Sequence, residues 1–510
     1  QGVKEERFDL VVLSVGLRPP AIAKEFAEKL GLELNPYGFC EVGGFSPVAT
    51  SRFGVYAAGA FTGPRDIPET VIQASAAASE ASRLLSPARH SLTVEKQYPP
   101  ERDITGEKPR MGVFVCHCGI NISGVVDVSA VRDYASSLPD VVFVADNLFT
   151  CSQDTQRVIK EKIEAYRLNR VVVASCTPRT HEPLFQETLR EAGLNKYLFE
   201  MANIRDQCSW VHMHEPDKAT EKAKDLVRMA VAKARLLKPL QQTTLGVSHS
   251  ALVVGGGITG MASALNLAEQ GFEVHLIERA DKLGGMANKI HHTLEGLDVH
   301  AHLQELIHGV SEEPLINVHK ETDILNVSGY VGNFKTRLLL RPEGEILEVE
   351  HGVAIIATGG DVYRPKEYLY GEHSGVLTVL EFEEEIAKGD PQVCSAQNVV
   401  LIQCVGSREG ERPYCSRVCC SESIKCALKL KDLNPDVNIY ILYRDIRTYG
   451  FKEQYYQEAR SKGVLFIPYE VDDKPEVQAA VEDGRDILRI RVNDPILGEQ
   501  LSIDADVLAL

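Results

Sequence analysis

Residues 251–289 read ALVVGGGITGMASALNLAEQGFEVHLIERADKLGGMANK, and this stretch decides the fold. An apolar strand at 251–254 runs into a GxGxxG loop at 255–260, a helix follows, and a second strand at 273–277 ends at Glu278. In such a βαβ unit the first glycine permits a tight turn, the second lets the backbone approach a pyrophosphate, and the third packs helix against strand. The stretch therefore predicts a Rossmann unit that binds a dinucleotide.

Two further signals favour FAD over NAD as that dinucleotide. Glu278 lies 23 residues after Gly255, where an acid takes ribose hydroxyls, and the following Leu283-Gly284-Gly285 extends the pattern toward the flavin type. About 100 residues after the first glycines, HGVAIIATGG at 351–360 predicts a strand that ends where the chain crosses near the dinucleotide. The predicted contacts are Gly255, Gly257, Ile258, Thr259, Gly260, Glu278, Arg279, Gly284, Gly285, Met286, Ala357, Thr358 and Gly359.

A group of four cysteines lies in 398–426, NVVLIQCVGSREGERPYCSRVCCSESIKC, between a predicted strand and a predicted helix. Ten residues separate the first two cysteines, three separate the second and third, and the last two are adjacent. Such closely grouped thiolates suit a cubane iron–sulfur cluster. Structural zinc and a disulfide are the alternatives, but zinc favours paired CxxC spacings and disulfides favour secreted chains. The predicted ligands are Cys404, Cys415, Cys419 and Cys420.

The cysteine stretch also belongs to a second βαβ half, because predicted strands at 398–403 and 437–443 flank a helix. A nicotinamide domain would carry a glycine loop after the first strand, but Cys404 and Gly406 stand there. This predicts that electrons reach the flavin singly through iron, instead of as a hydride. A self-contained FAD/NAD(P)H oxidoreductase would need an intact second fingerprint, and a scaffold without cofactors is the third alternative.

Residues 111–240 predict a second, smaller α/β domain with a parallel sheet, since MGVFVCHC, DVVFVAD and NRVVVASC alternate with helical segments. Cysteines follow the strand ends, where such sheets place sites. Cys116 is expected to remain within its strand, so a second cluster is predicted on the other four; burial as small apolar side chains is the alternative. The favoured ligands are Cys118, Cys151, Cys176 and Cys208.

The first segment, 1–86, is expected to be the C-terminal part of a FAD-binding domain, followed by a Pro-rich linker at 87–110. FDLVVLSVG at 8–16 predicts a buried strand, and aligning its Asp9 with Asp506 gives a repeat offset of 497 residues. We therefore expect parts of two tandem modules, with 1–86 completing either a preceding module or, in a permuted manner, the FAD domain at 250–510. The cluster-bearing subdomain is expected at about 390–470 of that domain, whose end we expect to be truncated.

Composition limits the classes of partner. The 510 residues carry a net charge of −17, which argues against nucleic acid or an anionic membrane surface as the main partner. We expect neither membrane insertion nor a secretory signal, because no apolar run reaches the roughly 18 residues that a spanning helix needs. The twelve cysteines then indicate redox or metal chemistry in a reducing, cytoplasmic compartment. Three of them, Cys40, Cys394 and Cys426, are predicted to be core or surface thiols.

Several motifs together resemble the family of heterodisulfide reductase A-type subunits: VFVCHCGINISG, VVVASCTPRTHEPLF, ANIRDQCSWVH, the FAD loop, the 404–420 cysteines and GPRDIPETVIQASAAA. The resemblance implies a thioredoxin reductase-like Rossmann FAD domain with a second, degenerate nucleotide half. It also implies that the 404–420 cysteines hold the flavin-proximal cluster, and that Gly59, Asp66 and Ile67 contact the flavin. Such flavoproteins usually carry Asp after the glycine, where this chain has Ala60.

The resemblance further implies an electron-transfer protein that works with B- and C-type subunits and with hydrogenase- or ferredoxin-linked donors and acceptors. A homo-oligomer within a larger complex, and flavin-based electron bifurcation, are expectations of the same kind. This chain departs from the family pattern, because it contains no CxxCxxCxxxC run and no cysteine in 294–306. These departures put bifurcation in doubt more than simple electron relay. No CxxC pair is present, so no catalytic dithiol is assigned, and His291 and His292 are read as a polar turn.

Overall fold

The computed structural model describes residues 5–341, 343–482 and 484–510, so the first four residues of the predicted 1–86 segment lie outside the described residues. The chain forms two compact units: residues up to 91 together with 246–510, and residues 92–245. The first is called unit 1 and the second unit 2. No helix within the described ranges combines the length and the apolar character needed to cross a bilayer.

The N-terminal part of unit 1 contributes two helices, α1 (Ala23–Leu30) and α2 (Ile67–Leu85). Helix α2 begins after Asp66, whose side chain accepts the N–H of Glu69 at 2.7 Å in a capping box. Small residues dominate the helix, as the sequence predicts, and they let it approach its neighbours closely.

Unit 2 is the small parallel α/β domain. Its elements are β1 (Met111–Cys116), α3 (Val128–Ser136), β2 (Val141–Asn147), α4 (Gln153–Ala165), β3 (Arg170–Ser175), α5 (Pro178–Glu191), β4 (Phe199–Asn203) and α6 (Pro216–Ala234). The strand order is β2-β1-β3-β4, and every pair is parallel. Strands β1 and β3 are buried throughout, because helices cover both faces of a parallel sheet.

The Rossmann part of unit 1 follows the predicted βαβ unit. Its elements are β5 (Ser250–Val254), α7 (Ile258–Ala268), β6 (Glu273–Ile277), α8 (Val299–Glu312), β7 (Ile316–His319), β8 (Thr322–Tyr330), β9 (Asn333–Leu340), β10 (Glu345–His351) and β11 (Val353–Ile356). The parallel sheet has the order β11-β5-β6-β7, and β10-β9-β8 form an antiparallel sheet that the sequence did not predict.

The cysteine-bearing part of unit 1 is a second parallel sheet. Its elements are β12 (Val376–Leu377), α9 (Val379–Lys388), α10 (Pro391–Cys394), β13 (Asn398–Ile402), α11 (Cys419–Leu433), β14 (Asn438–Tyr443), α12 (Glu453–Ser461), β15 (Leu465–Pro468), β16 (Glu476–Glu482), β17 (Arg485–Asp494), β18 (Glu499–Ala505) and β19 (Val507–Ala509). The order β12-β19-β13-β14-β15 is fully parallel, and β16-β17-β18 form an antiparallel sheet.

The prediction of a buried strand at 8–16 is wrong. Within the described residues this segment forms no strand, and its apolar side chains are exposed, Val12 at 81% and Val15 at 83%. The matching segment at the other end of the repeat forms β19, which lies between β12 and β13 with Leu508 fully buried. β19 fills the position between β12 and β13, and among the described residues 8–16 pairs with no strand.

Helix α2 packs beside α7. The Ser79 hydroxyl donates to Asn266 Oδ1 at 2.6 Å, and the Ser86 hydroxyl donates to the carbonyl of Glu269 at 3.1 Å. The later residue of α2 or its end contacts the later residue of α7, so the two helices run in the same direction. Their N-termini therefore point to the same side of unit 1, which is the side of the glycine-rich loop.

Candidate functional site

The glycine-rich loop after β5 has the close backbone crossings that a dinucleotide site needs. Gly255 adopts φ +111°, and a Cβ there would lie 2.3 Å from the carbonyl oxygen of Ala357. A Cβ on Gly260 would lie 1.8 Å from the carbonyl oxygen of Gly255. A Cβ on Gly257 would meet no atom within 4 Å, so this glycine faces open space at the start of α7. The residues present thus fit a pyrophosphate resting on the N-terminus of the helix.

Glu278 closes one side of this loop. Its Oε2 accepts the N–H of Gly256 at 2.8 Å, and its Oε1 accepts the N–H of Ala280 at 2.7 Å. A cavity of about 380 Å³ opens beside it and is lined by Gly255, Glu278, Arg279, Thr358 and Gly359, among others. The structure therefore brings five predicted contacts from three separate segments together at one cavity.

Of the other predicted contacts, Ile258 and Thr259 begin α7, Ala357 lies at the crossing with Gly255, and the rest lie beside the loop or before and at the start of α2. Gly284 and Gly285 pack against the loop, since the N–H of Gly284 donates to the carbonyl of Gly256 at 2.8 Å and Met286 follows in a 3₁₀ turn. Gly59 adopts φ +72°, its N–H donates to Gln73 Oε1 at 2.9 Å, and it does not line that cavity. Asp66 and Ile67 are also separate from it, at the start of α2.

The 404–420 cysteines meet at the carboxyl end of β13. Cys404 follows the strand with φ +62°, whereas Cys419 and Cys420 open α11. Burial raises the pKa of Cys419 to about 11, and the nearby thiols of Cys420, Cys404 and Cys415 contribute to this rise. Burial likewise raises the pKa of Cys420, with contributions from Cys404 and Cys415. The four sulfurs are therefore close enough to influence one another electrostatically.

A single metal ion does not fit this arrangement. Over the described ranges, no three or more His, Cys, Asp or Glu side chains converge closely enough to hold one ion. A four-iron cubane places its irons at separate corners, so it accepts thiolates that are spread more widely than those around one ion. The donor set, four thiols at a strand end and a helix start, has the chemistry of an iron–sulfur cluster site.

A second cavity, of about 260 Å³, adjoins the cysteine loop. Its walls come from the start of α2 and from the segment after β14, and they are lined by Gly63, Pro64, Arg65, Glu69, Glu295, Arg417, Ser421, Arg447, Tyr449, Gly450, Phe451 and Lys452. Arg417 of the cysteine loop pairs with Glu69 of α2 at 2.7 Å. The segment that sequence predicts to contact the flavin thus borders the predicted cluster loop.

A buried ion pair anchors α11 behind the cysteines. Lys425 and Glu383 are 2% and 1% exposed, and Lys425 Nζ donates to Glu383 Oε2 at 2.9 Å. The same Nζ donates to the carbonyl of His292 at 3.0 Å, while Glu383 Oε1 accepts the N–H of His291 at 2.9 Å. The histidine turn after the FAD motif is therefore tied to the cluster-bearing helix. Sequence reasoning missed both charged residues, because each looks like an ordinary residue of a solvated helix.

In unit 2 the structure gathers a different cysteine set from the predicted one. Burial raises the pKa of Cys151, and Cys116 and Cys118 raise it further. Burial also raises the pKa of Cys176, where Cys118 and Cys116 contribute as well. Cys116 does lie at the end of β1 as predicted, but its Sγ accepts the N–H of Thr150 at 3.4 Å and faces the same edge.

Cys208 lies apart from these four thiols. It is fully buried in a π-helical turn, and its thiol donates to the carbonyl of Ala219 on α6 at 3.0 Å. Burial raises its pKa, and no other cysteine contributes to the shift. Of the predicted ligands Cys118, Cys151, Cys176 and Cys208, the turn directs the last into the core toward α6, whereas Cys116 lies near the other three.

The three cysteines left out of both sets are dispersed. Cys40 and Cys426 are buried and Cys394 is partly buried. The Cys40 thiol donates to the carbonyl of Glu41 at 3.6 Å, and burial raises the pKa of Cys426 strongly. None of the three is among the groups that shift the pKa of Cys419 or Cys420.

Several known proteins are similar to this chain. A family model described as an NAD(P)-binding Rossmann-like domain matches residues 253–321. The chain is 36% identical to the A-type subunit of the H(2):CoB-CoM heterodisulfide,ferredoxin reductase of Methanothermobacter thermautotrophicus, over 80% of this chain and 75% of that protein. It is 33% identical to the A-type iron-sulfur subunit of the CoB--CoM heterodisulfide reductase of Methanocaldococcus jannaschii, over 79% and 74%.

Among solved structures, the chain is similar to a thioredoxin reductase from T. acidophilum, with 16% identity and a TM-score of 0.34 over 51% of this chain and 75% of that chain. The Rossmann sheet predicted from residues 251–289 is confirmed by the topology and by the family model. Since relatives above 30% identity are matched over about three quarters of their length, the chain belongs to the family of heterodisulfide reductase A-type subunits.

Proposed function

We propose that this chain is an electron-transfer oxidoreductase subunit that binds FAD at the glycine-rich loop and a [4Fe-4S] cluster at Cys404, Cys415, Cys419 and Cys420. The observation that carries the proposal is the position of the cysteine loop. It occupies the β13-to-α11 crossing, where the second nucleotide domain of a flavoprotein reductase would carry its own glycine loop. Unit 1 thus contains both a glycine-rich loop that suits a dinucleotide and a loop with four thiols. The sequence carries no second nucleotide fingerprint.

The residues of the FAD cradle bind and orient the cofactor. The open face of Gly257 and the first turn of α7 present backbone N–H groups to the pyrophosphate. Glu278 is held in place by two backbone N–H groups at the edge of the cavity, where it could contact the ribose. When bound, FAD supplies the ability to exchange electrons either in pairs or singly.

The start of α2 would lie beyond the cradle, next to the cysteines. Ser79 of α2 contacts Asn266 of α7. From that contact back to the start of its helix there are twelve residues in α2, to Ile67, but only eight in α7, to Ile258. At 1.5 Å per residue, the start of α2 therefore extends about 6 Å beyond the start of α7. The second cavity is at this end. This supports a cofactor that extends from the glycine loop toward the cysteine loop, with residues 59–67 near its flavin end.

The thiols must lose their protons to bind iron. Burial holds the pKa of Cys419 at about 11, so that thiol is protonated at neutral pH until metal binds, and cluster assembly releases protons. The N–H of Arg417 donates to Cys415 Sγ at 3.3 Å, so this loop also holds the sulfur of Cys415 in place. In unit 2 we propose a second cluster on the gathered set Cys116, Cys118, Cys151 and Cys176.

The relatives suggest where the electrons go. Their names connect them to a CoB–CoM heterodisulfide and, in one case, to ferredoxin. We propose that disulfide reduction takes place on partner subunits of the B and C type, supplied by hydrogenase- or ferredoxin-linked proteins. Cytoplasmic location, a homo-oligomer within a larger complex, and electron bifurcation remain parts of this proposal.

The test is to purify the chain without oxygen and to measure FAD and iron together. We expect about one FAD with four or eight irons, since each cubane holds four. Cys415→Ser should lower the iron content by about four and leave FAD in place, while Cys426→Ser, a buried thiol on the same helix as Cys420, should change neither. Flavin without iron, together with rapid flavin reduction by NADH, would instead favour a self-contained FAD/NAD(P)H oxidoreductase.

A further inference from the structure

Two arginines lie against the sulfurs of the cysteine loop. Arg408 Nη1 is 3.9 Å from Cys404 Sγ, and the guanidinium is one quarter exposed. The thiol of Cys420 donates to the carbonyl of Asp445 at 3.9 Å, and the backbone N–H of Arg447 lowers the pKa of Cys420, opposing the effect of burial. Cys415 is among the groups that raise the pKa of the Arg447 guanidinium, so that charge is felt at the loop cysteine as well. Arg408 thus borders Cys404, and the segment from Asp445 to Arg447 borders Cys420.

One carboxylate holds both guanidiniums. Asp445 Oδ2 accepts two bonds from Arg447, from Nε at 3.1 Å and from Nη2 at 3.0 Å, while Oδ1 pairs with Arg408 Nη1. Burial opposes ionisation of Asp445, but the bond from Arg447 and the charge of Arg408 outweigh it and lower the pKa. The carboxylate is therefore charged at neutral pH. The group has two positive charges and one negative, and its net charge beside the sulfurs is positive.

We propose that Arg408 and Arg447, positioned by Asp445, raise the reduction potential of the cluster held by Cys404, Cys415, Cys419 and Cys420. A cluster on four thiolates is anionic and gains a further negative charge when it takes up one electron. Nearby fixed cations stabilise that reduced form more than the oxidised form, which moves the potential upward. This inference rests on the proposed function, because it requires the cluster to be present.

The placement of the two arginines suits an electrostatic role. Arg408 adopts φ +64°, which is uncommon for a residue other than glycine, and its guanidinium lies between Cys404 and Asp445. Arg447 also lines the second cavity, where we place the flavin end of the cofactor. A charge at this position would act on the cluster at the point where electrons pass between it and the flavin.

The experiment uses the full chain, purified and reconstituted without oxygen, with Arg408→Gln and Arg447→Gln beside the wild type. Iron and FAD are counted first, and the potential of the cluster is then measured by redox titration followed with electron paramagnetic resonance. We expect full iron content and a lower potential in both variants. Arg408→Lys and Arg447→Lys should recover most of the shift, because they keep the charge but lose the planar fork. Arg337→Gln, an exposed arginine of β9 in the same unit, is the matched control and should leave the potential unchanged.

The outcomes separate this inference from the function on which it rests. Full iron with an unchanged potential in both glutamine variants overturns the electrostatic role and leaves the proposed function standing. A shift that the lysine variants do not recover also overturns it, since it would come from loop geometry instead of charge. Wild-type protein without iron overturns the proposed function itself, and this inference with it.

Discussion

The strongest energetic prediction concerns the buried pair behind the cysteines. In Lys425→Met the side chain keeps nearly its length and its place in the core but loses its charge. Glu383 would then be buried with one oxygen still accepting from His291 and the other without its cation, and the carbonyl of His292 would lose its donor. Glu422 would also lose its partner, although it is partly exposed and can turn to solvent.

The expected cost follows from this geometry. Removing one member of a buried ion pair costs about 3–5 kcal/mol, because the remaining charge stays desolvated. Burial alone would lower the pKa of Lys425, but Glu422 and Glu383 outweigh burial and raise it. A lysine whose pKa is raised in the folded protein stabilises the fold fully at any pH below its unfolded pKa of about 10.4. This stabilisation is lost only as the pH rises past the pKa of the folded state. The stability that the Lys425 charge gives to the wild type should therefore be constant between about pH 6 and pH 9.

Urea unfolding at pH 7.5 measures this cost, with far-ultraviolet circular dichroism as the signal. Lys429→Met is the matched control, since it makes the same change on an exposed position of the same helix and should cost less than about 0.5 kcal/mol. The double variant Glu383→Met with Lys425→Met should recover part of the loss, because no lone charge remains. A cost below about 1 kcal/mol for Lys425→Met, or a double variant no better than the single, would show that no lone buried charge destabilises the variant.

Three further predictions test the other sites. Gly260→Val should abolish FAD binding, measured by absorbance at 450 nm, because even a Cβ there would lie 1.8 Å from a backbone oxygen; retained flavin would show that the crossing can relax. In unit 2, Cys116→Ser should lower the iron content by about four, whereas Cys208→Ser should lower only stability; the reverse result would return Cys208 to the ligand set. Hydrogen bonds from His117 and Arg132 lower the pKa of Asp146. The Asp146 carboxylate therefore stabilises the fold fully above about pH 5, and this stabilisation decreases as the pH falls through the lowered pKa. The stability advantage of wild type over Asp146→Asn, from urea unfolding at several pH values, should shrink toward pH 3, and an advantage that grows there would contradict this assignment.

The Rossmann unit could be predicted from sequence because its geometry requires particular residue types at particular positions. Gly255 and Gly260 sit where a Cβ would strike a backbone oxygen, so no other residue suits those positions. The acid at Glu278 is fixed by strand length, since β6 must end beside the loop. At these positions the three-dimensional contact fixes both the residue type and its spacing in the sequence, so the motif predicts the contact.

The ligand set in unit 2 depends on the directions of the cysteine side chains, which do not require a recognisable residue pattern. A cysteine at the end of a strand and one just past it occupy the same edge of a sheet, so Cys116 and Cys118 are equally well placed by sequence position. The direction of Cys208 is set by a π-helical turn, and its five residues, RDQCS, carry no distinctive pattern. The pairing of Lys425 with Glu383 likewise joins two helices that are about forty residues apart, which no local periodicity can reveal.

The exposed segment 8–16 shows how connectivity decides between two similar strands. Asp506 anchors β19, since its Oδ2 accepts the N–H groups of Gln397 and Asn398 at 2.8 and 2.9 Å, and Asp9 precedes the same kind of apolar run. The position between β12 and β13 has backbone partners on both sides and holds one strand. β19 is joined to β18 through Asp506 alone, so placing it closes a very short loop, whereas placing 8–16 would close a loop of several hundred residues at a higher entropic cost. An apolar pattern thus specifies that a segment can form a strand, and the length of chain that links it to the sheet decides whether it does.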